Sequence, residues 1–337
     1  MQYVRLGKTG LNVSVVSFGG IPIQRCAQED AKVVVDKLEE VGMNFLDTAR
    51  GYTVSEAYLG EALKGRRDKF IIATKSMVRD REGMKKDIDI SLGNLKTDYI
   101  DLYQIHNIKT NDFEKVFGED GAYRGLLEAK QEGKIGHIGV TAHSADDLKR
   151  IVSDHAHQVE TIMFPYNIVE VQGAEALKEA RSKDIGIIAM KPLAGGNLED
   201  WRLALRFIAL SGVCDISIPG MGNAEEVERN AQACCDLTPL SEEEHAEIER
   251  LRKELGNQFC RRCGYCAPCT VGIDIPTSFV FANYLRKYGL ADWATERYNA
   301  MGAHASDCIA CGVCEERCPY DLPIIHMMKK VAADFGK

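Results

Sequence analysis

The sequence predicts an α/β chain in two parts, a closed (β/α)₈ TIM barrel followed by a smaller, mainly α-helical unit. Three observations carry that prediction. Short apolar or β-branched runs alternate with helical patterns along residues 13–219. Twelve cysteines are present, four in the first 259 residues and eight in the last 78. Charge divides in the same way: residues 256–337 carry a net +1 and the remainder −9. At roughly 150 residues per domain, 337 residues allow about two domains, expected at 1–255 and 256–337.

Taken in order, YVRLGKTGLNVSV reads as a small hairpin turning at Lys8-Thr9-Gly10. Eight strand-like runs follow: 13–19, 44–49, 70–75, 100–106, 135–141, 161–167, 186–192 and 214–220. Stretches such as QEDAKVVVDKLEEVG and AEALKEARSKD lie between them, with apolar residues every three or four positions. Strands alternating with helices pair in parallel, because each crossover returns the chain to the same end of the sheet. An open doubly wound sheet would be expected to show G-x-G-x-x-G after its first strand, and SFGGIPIQ is not that pattern. A leading helix for the second part begins at Ser241, with Glu244 completing a capping box, and ends at Gly256. SFVFANYLRKYGL and DWATERYNA are helical by spacing, which favours an all-helical second part.

Composition narrows the function classes. An overall charge of −8 gives no general attraction for nucleic acid. No run approaches the eighteen or so apolar residues of a membrane span. The opening MQYVRLGKTGLNV has charges and glycines where a leader needs an apolar stretch. A cytoplasmic protein with neither nucleic-acid nor membrane partners is expected.

Chemistry in such a barrel collects at the C-terminal strand ends. Asp47, Lys75 and His106 close the second, third and fourth runs, and Tyr52 follows Asp47 by five residues. A phenol titrates near pH 10, and a neighbouring cation makes its proton easier to donate. Lys75 can supply that charge if Asp47 keeps it protonated and oriented, while His106 donates a hydrogen bond to a substrate oxygen.

At these residues the sequence resembles the aldo-keto reductase family, through NFLDTARGYTVSE, ATKS, DLYQIHN, GKIGHIGVTAHS, FPYN, AMKPLAGG and SIPGMGNAEEVERN. The likeness covers nearly all of residues 1–240. It implies Tyr52 as general acid, Lys75 and Asp47 as its tuning pair, and His106 as the carbonyl-orienting group. It also implies a nicotinamide dinucleotide, NADP(H) or NAD(H), with altered contacts. The carboxamide-holding pair corresponds to Thr141 and Ala142, the strand-6 glutamine to Met163, and the nicotinamide-stacking tyrosine to Met190. The residues that grip the 2′-phosphate correspond to Gly220 and Glu226, the latter of the wrong sign. Lys191-Pro192-Leu193 and the Ile218-Pro219-Gly220 turn keep backbone N–H groups for a pyrophosphate, and Asn230 matches an adenine-contacting position. A flavin in the groove is the alternative.

The second part holds CRRCGYCAPC (Cys260, Cys263, Cys266, Cys269) and CIACGVCEERCP (Cys308, Cys311, Cys314, Cys318). Disulfides need an oxidising compartment, and zinc sites favour paired C-x₂-C elements over triplets at three-residue steps. The second run matches the C-x₂-C-x₂-C-x₃-C-P motif of bacterial ferredoxins, and eight ligands at four each imply two [4Fe–4S] clusters. By likeness to ferredoxins the fourth cysteine of each run crosses over. Cys260, Cys263 and Cys266 then share a cluster with Cys318, and Cys308, Cys311 and Cys314 share one with Cys269. The first run departs in having x₂ before Cys269 and Thr270 after it. Cys26, Cys214, Cys234 and Cys235 need only be small apolar side chains.

The whole chain resembles the branch of aldo-keto reductases with a C-terminal dicluster ferredoxin-like domain. That resemblance implies reduction of a small-molecule carbonyl, or oxidation of the alcohol, through Tyr52. Two readings stay open beside it. One is a flavin- or ferredoxin-coupled enzyme with the clusters as an electron wire and a ferredoxin-like electron partner. The other is a redox-sensing or partner-binding barrel with structural clusters.

Overall fold

The computed structural model describes residues 1–256, 258–262 and 264–336; Cys263, one of the expected cluster ligands, lies outside the described residues. The chain forms two compact units, Met1–Glu244 and His245–Lys337. The division falls inside the leading helix, ahead of the 255/256 boundary suggested by charge and cysteine content.

The first unit opens with a hairpin, β1 (Tyr3–Arg5) and β2 (Asn12–Ser14), antiparallel around a 3₁₀ turn at Gly7–Thr9. Eight parallel strands follow: β3 (Phe18–Gly19), β4 (Phe45–Asp47), β5 (Ile71–Ser76), β6 (Ile100–Ile105), β7 (Ile135–Thr141), β8 (Thr161–Pro165), β9 (Gly186–Met190) and β10 (Ile216–Ile218). They pair in sequence order, and parallel bridges Val16↔Ser217 and Gly19↔Gly220 close the ring. Gly19 is required at that seam, since a Cβ there would lie 2.8 Å from the carbonyl oxygens of Ile218 and Pro219. The helices between are α1 (Gln28–Val41), α2 (Ser55–Ala62), α3 (Arg81–Leu95), α4 (Phe113–Phe117), α5 (Ala122–Gln131), α6 (Ala145–Asp154), α7 (Ala174–Ser182), α8 (Trp201–Leu210) and α9 (Ala224–Ala233).

One expected strand is divided. The run 13–19 gives its first residues to the hairpin and its last two to the barrel. Between them Ser17 Oγ donates to the Ser14 carbonyl at 2.6 Å, a local bond that turns the chain away from extended pairing.

The two-residue period of a strand sorts the barrel side chains into two cores. Leu46, Ile72, Tyr103, Ile162 and Ile187 pack outward against the helices, in the larger cluster. Phe45, Ala73, Leu102, Met163, Ile188 and Ile216 pack together inside, with Leu6 and Val13 of the hairpin. Counting by twos from this inner set reaches Asp47, Lys75 and Gln104 at the C-terminal ends. The rim residues face inward because the apolar residues two positions earlier do.

The second unit contains most of α10 (Glu242–Leu255), then α11 (Ile275–Lys287), α12 (Ala291–Asn299), α13 (Val313–Glu316) and α14 (Ile324–Phe335). The expected capping box of α10 is present, with Glu244 N–H donating to Ser241 Oγ (3.2 Å) and Ser241 N–H to Glu244 Oε2 (2.9 Å). Phe279, Tyr298, Met328 and Val331 form a core that includes Cys266 and Cys318. Among the described residues no helix is long and apolar enough to cross a membrane.

Candidate active site and cysteine-lined hollows

Asp47 ends β4, Lys75 lies one residue from the end of β5, and His106 follows β6 with its N–H donated to the Ser76 carbonyl at 2.9 Å. Lys75 Nζ donates to Asp47 Oδ2 (2.6 Å) and to the Thr48 carbonyl (2.8 Å). Both partners of this ion pair are 2% exposed. Burial drives the Lys75 ammonium down and the Asp47 carboxyl up, and each one's charge opposes the shift of the other.

Tyr52 sits on the loop between β4 and α2, held by its N–H to the Ala49 carbonyl (3.0 Å). Lys75 Nζ is 5.0 Å from its ring centroid, and the ring meets His106 edge-on at 6.1 Å between centroids. Thus all four expected residues converge. The electrostatics correct one expectation, however. Burial of the hydroxyl and the charge of Asp47 hold the phenol above the ordinary tyrosine value, so the free site does not favour phenolate. Lys75 points its proton donors at Asp47 and Thr48, and among the described residues the phenol oxygen has no hydrogen-bond partner. His106 is pushed well below the usual imidazole range by burial and by the charges of Lys75 and Arg79, so it is neutral. Arg79 fixes the chain beyond β6 by donating to the carbonyls of His106 and Asn107 (2.9 Å each).

Two residues of the rim went unnoticed in the sequence. Gln104 is fully buried, donates to Asp47 Oδ1 at 3.4 Å, and leaves its own carbonyl oxygen without a partner among the described residues. Its signal was its place two residues before His106 on one strand. Glu56 is also buried and accepts from Arg50, Thr74, Ser91 and Asn94 at 2.7–3.0 Å. Only burial reveals it.

The expected dinucleotide contacts are uneven. Thr141 accepts the Asn107 N–H at 2.7 Å. Met163 is 1% exposed in the inner core and Met190 packs against that core. Lys191 has positive φ (57°), and its carbonyl accepts from Asn167 at 3.0 Å at the start of the Pro192-Leu193 loop. After Gly220 the expected N–H groups are taken: Met221 N–H bonds the Gly19 carbonyl (3.2 Å) and Gly222 N–H bonds Glu226 Oε2 (2.7 Å). Asn230 is fully buried, and among the described residues neither amide atom has a partner. His143 contacts Asn107 Oδ1 at 2.9 Å. Cys26 donates to the Gly222 carbonyl at 3.1 Å, and burial raises its thiol above the ordinary cysteine value.

In the second unit the cysteines line two hollows. The first is bordered by Cys260, Cys266 and Cys318 with Ile275, Phe279 and Leu322. The second is bordered by Cys269, Cys308, Cys311 and Cys314 with Val271, Ile273 and Met328; Cys266 reaches its wall as well. Each hollow therefore draws cysteines from both runs. A set of sulfur donors with apolar walls suits an iron–sulfur cluster.

Inward-facing charge at the rim of a closed barrel, joined to a sulfur-lined helical unit, defines a redox enzyme. Residues 15–203 match the aldo/keto reductase family, and the chain belongs to that family; residues 259–323 match a 4Fe-4S dicluster domain. L-galactose dehydrogenase of Arabidopsis thaliana is 28% identical over 304 residues, spanning 75% of this chain and 94% of the relative. 6-Dehydroglucose reductase of Novosphingobium aromaticivorans is 30% identical over 222 residues, spanning 58% and 69%. The holo form of aldo-keto reductase AKR11C1 from Bacillus halodurans superposes with a TM-score of 0.65 at 26% identity, over 74% of this chain and 96% of that one.

Proposed function

We propose that this protein reduces a small-molecule carbonyl, or in reverse oxidises the alcohol, with Tyr52 as general acid and two [4Fe–4S] clusters for electron transfer. The observation that carries the reading is the free phenol at a rim where every neighbouring charge is already directed elsewhere. Tyr52 keeps its proton at neutral pH and meets the substrate oxygen. Neutral His106 donates a second hydrogen bond and fixes the carbonyl. As charge grows on the phenol oxygen in the transition state, the Lys75 ammonium stabilises it, and Asp47 holds that ammonium in place.

A nicotinamide dinucleotide supplies the hydride when bound. Asn230 and the Lys191–Leu193 loop would hold it, and Glu226 favours NADH by repelling a 2′-phosphate. Cys260, Cys263, Cys266 and Cys318 would hold one cluster, and Cys269, Cys308, Cys311 and Cys314 the other. The proposed setting is cytoplasmic, where free thiols stay reduced.

The test is anaerobic purification, iron, sulfide and flavin analysis, and nucleotide oxidation against a carbonyl panel. The panel includes sugars, because two relatives are named for them. Expected are about eight iron and eight sulfide per chain, no flavin, and one nucleotide oxidised per carbonyl reduced. Failure to bind either nucleotide, or no turnover across the panel, would overturn the reading.

A further inference from the structure

The first hollow contains a buried cation that the ligand pattern does not explain. Arg261 lines it beside Cys260, Cys266 and Cys318 and is 4% exposed. Its guanidinium lies over the rings of Tyr320 (4.0 Å to the centroid) and Phe259 (5.3 Å). Those contacts offset part of the cost of burying the charge but satisfy none of its N–H groups. Among the described residues Nε and one terminal nitrogen are buried without a partner. A guanidinium desolvated in this way is unfavourable unless something accepts its protons. The second hollow differs: its described lining includes no arginine, and the Thr270 hydroxyl lies 3.4 Å from Cys311 Sγ.

We propose that Arg261 donates its buried N–H groups to the sulfurs of the cluster in the first hollow and so holds that cluster at a higher reduction potential than the cluster in the second. This rests on the reading that each hollow holds a [4Fe–4S] cluster. Reduction adds one electron to the cluster. A nearby positive charge and N–H···S bonds favour the more negative form. An electron reaching the domain therefore settles on the first cluster.

The test is potentiometric titration followed by electron paramagnetic resonance on the holoprotein, with iron and sulfide counted in each sample. The wild type should show two midpoints. In Arg261→Gln the higher should fall by at least tenfold in its equilibrium constant, about 59 mV for one electron, with the lower unchanged. Arg261→Lys, which keeps the charge, should fall between, and it decides the matter if Arg261→Gln loses iron. An unchanged higher midpoint at full iron content, or movement of the lower one instead, would overturn the proposal. A wild type without iron and sulfide would sink the cluster reading itself, a separate failure visible before any titration.

Discussion

At the barrel rim the buried charges find their counter-groups within the chain: Lys75 lies 2.6 Å from Asp47, and Glu56 accepts four donors. In the cysteine-rich unit Arg261 is about as deeply buried, yet two of its nitrogens have no partner among the described residues. The difference teaches how each region is completed. On the proposed reading the rim is preorganised by its own residues, and a substrate would meet fixed dipoles and a free phenol. In the second unit, on the same reading, donors and thiols would be completed by the clusters.

The sharpest way to break this contrast is Lys75→Met, which leaves Asp47 buried and unpaired. Carbonyl reduction should fall by about 10³-fold or more, and stability by about 3–5 kcal/mol in a denaturant titration. Adding Asp47→Asn should return most of the stability and none of the activity.

In the second unit, Cys269→Ala should lower iron from about eight to about four per chain and remove only the cluster bounded by Cys308, Cys311 and Cys314. Loss of the other cluster instead would contradict the crossed ligand sets. A smaller effect is expected of Glu226→Gln. Removing that carboxylate should tighten NADPH about five- to tenfold, while NADH changes little in a fluorescence titration. Smallest is the response to pH. His106 is neutral and Tyr52 protonated in the free site, so the reduction rate should show no inflection between about pH 6 and 8. A step near the ordinary histidine value would mean that His106 titrates during turnover.

Much of this was legible because periodicity decides direction. In NFLDTA and FIIATK an inner apolar residue lies two positions before Asp47 and Lys75, and in IDLYQIH Leu102 lies four before His106, so the strand period turns all three toward one another. The same rule would have found Gln104. The division of residues 13–19 was not legible, since a β-branched run does not show where a hydroxyl bond such as Ser17–Ser14 will bend it. Nor was the state of Tyr52, because charge order along a chain says nothing of desolvation, and burial outweighs the help expected from Lys75. In CRRCGYCAPC the cysteine spacing hid the more informative residue: Arg261 matters through its burial, which no spacing records.

The most direct measurement of the central claim is carbonyl reduction by Tyr52→Phe beside the wild type, at equal iron content and matched circular dichroism. The phenol is the proposed proton donor, so the variant should bind nucleotide normally and lose at least about 10³-fold in kcat. Turnover at the wild-type rate would show that the proton comes from elsewhere.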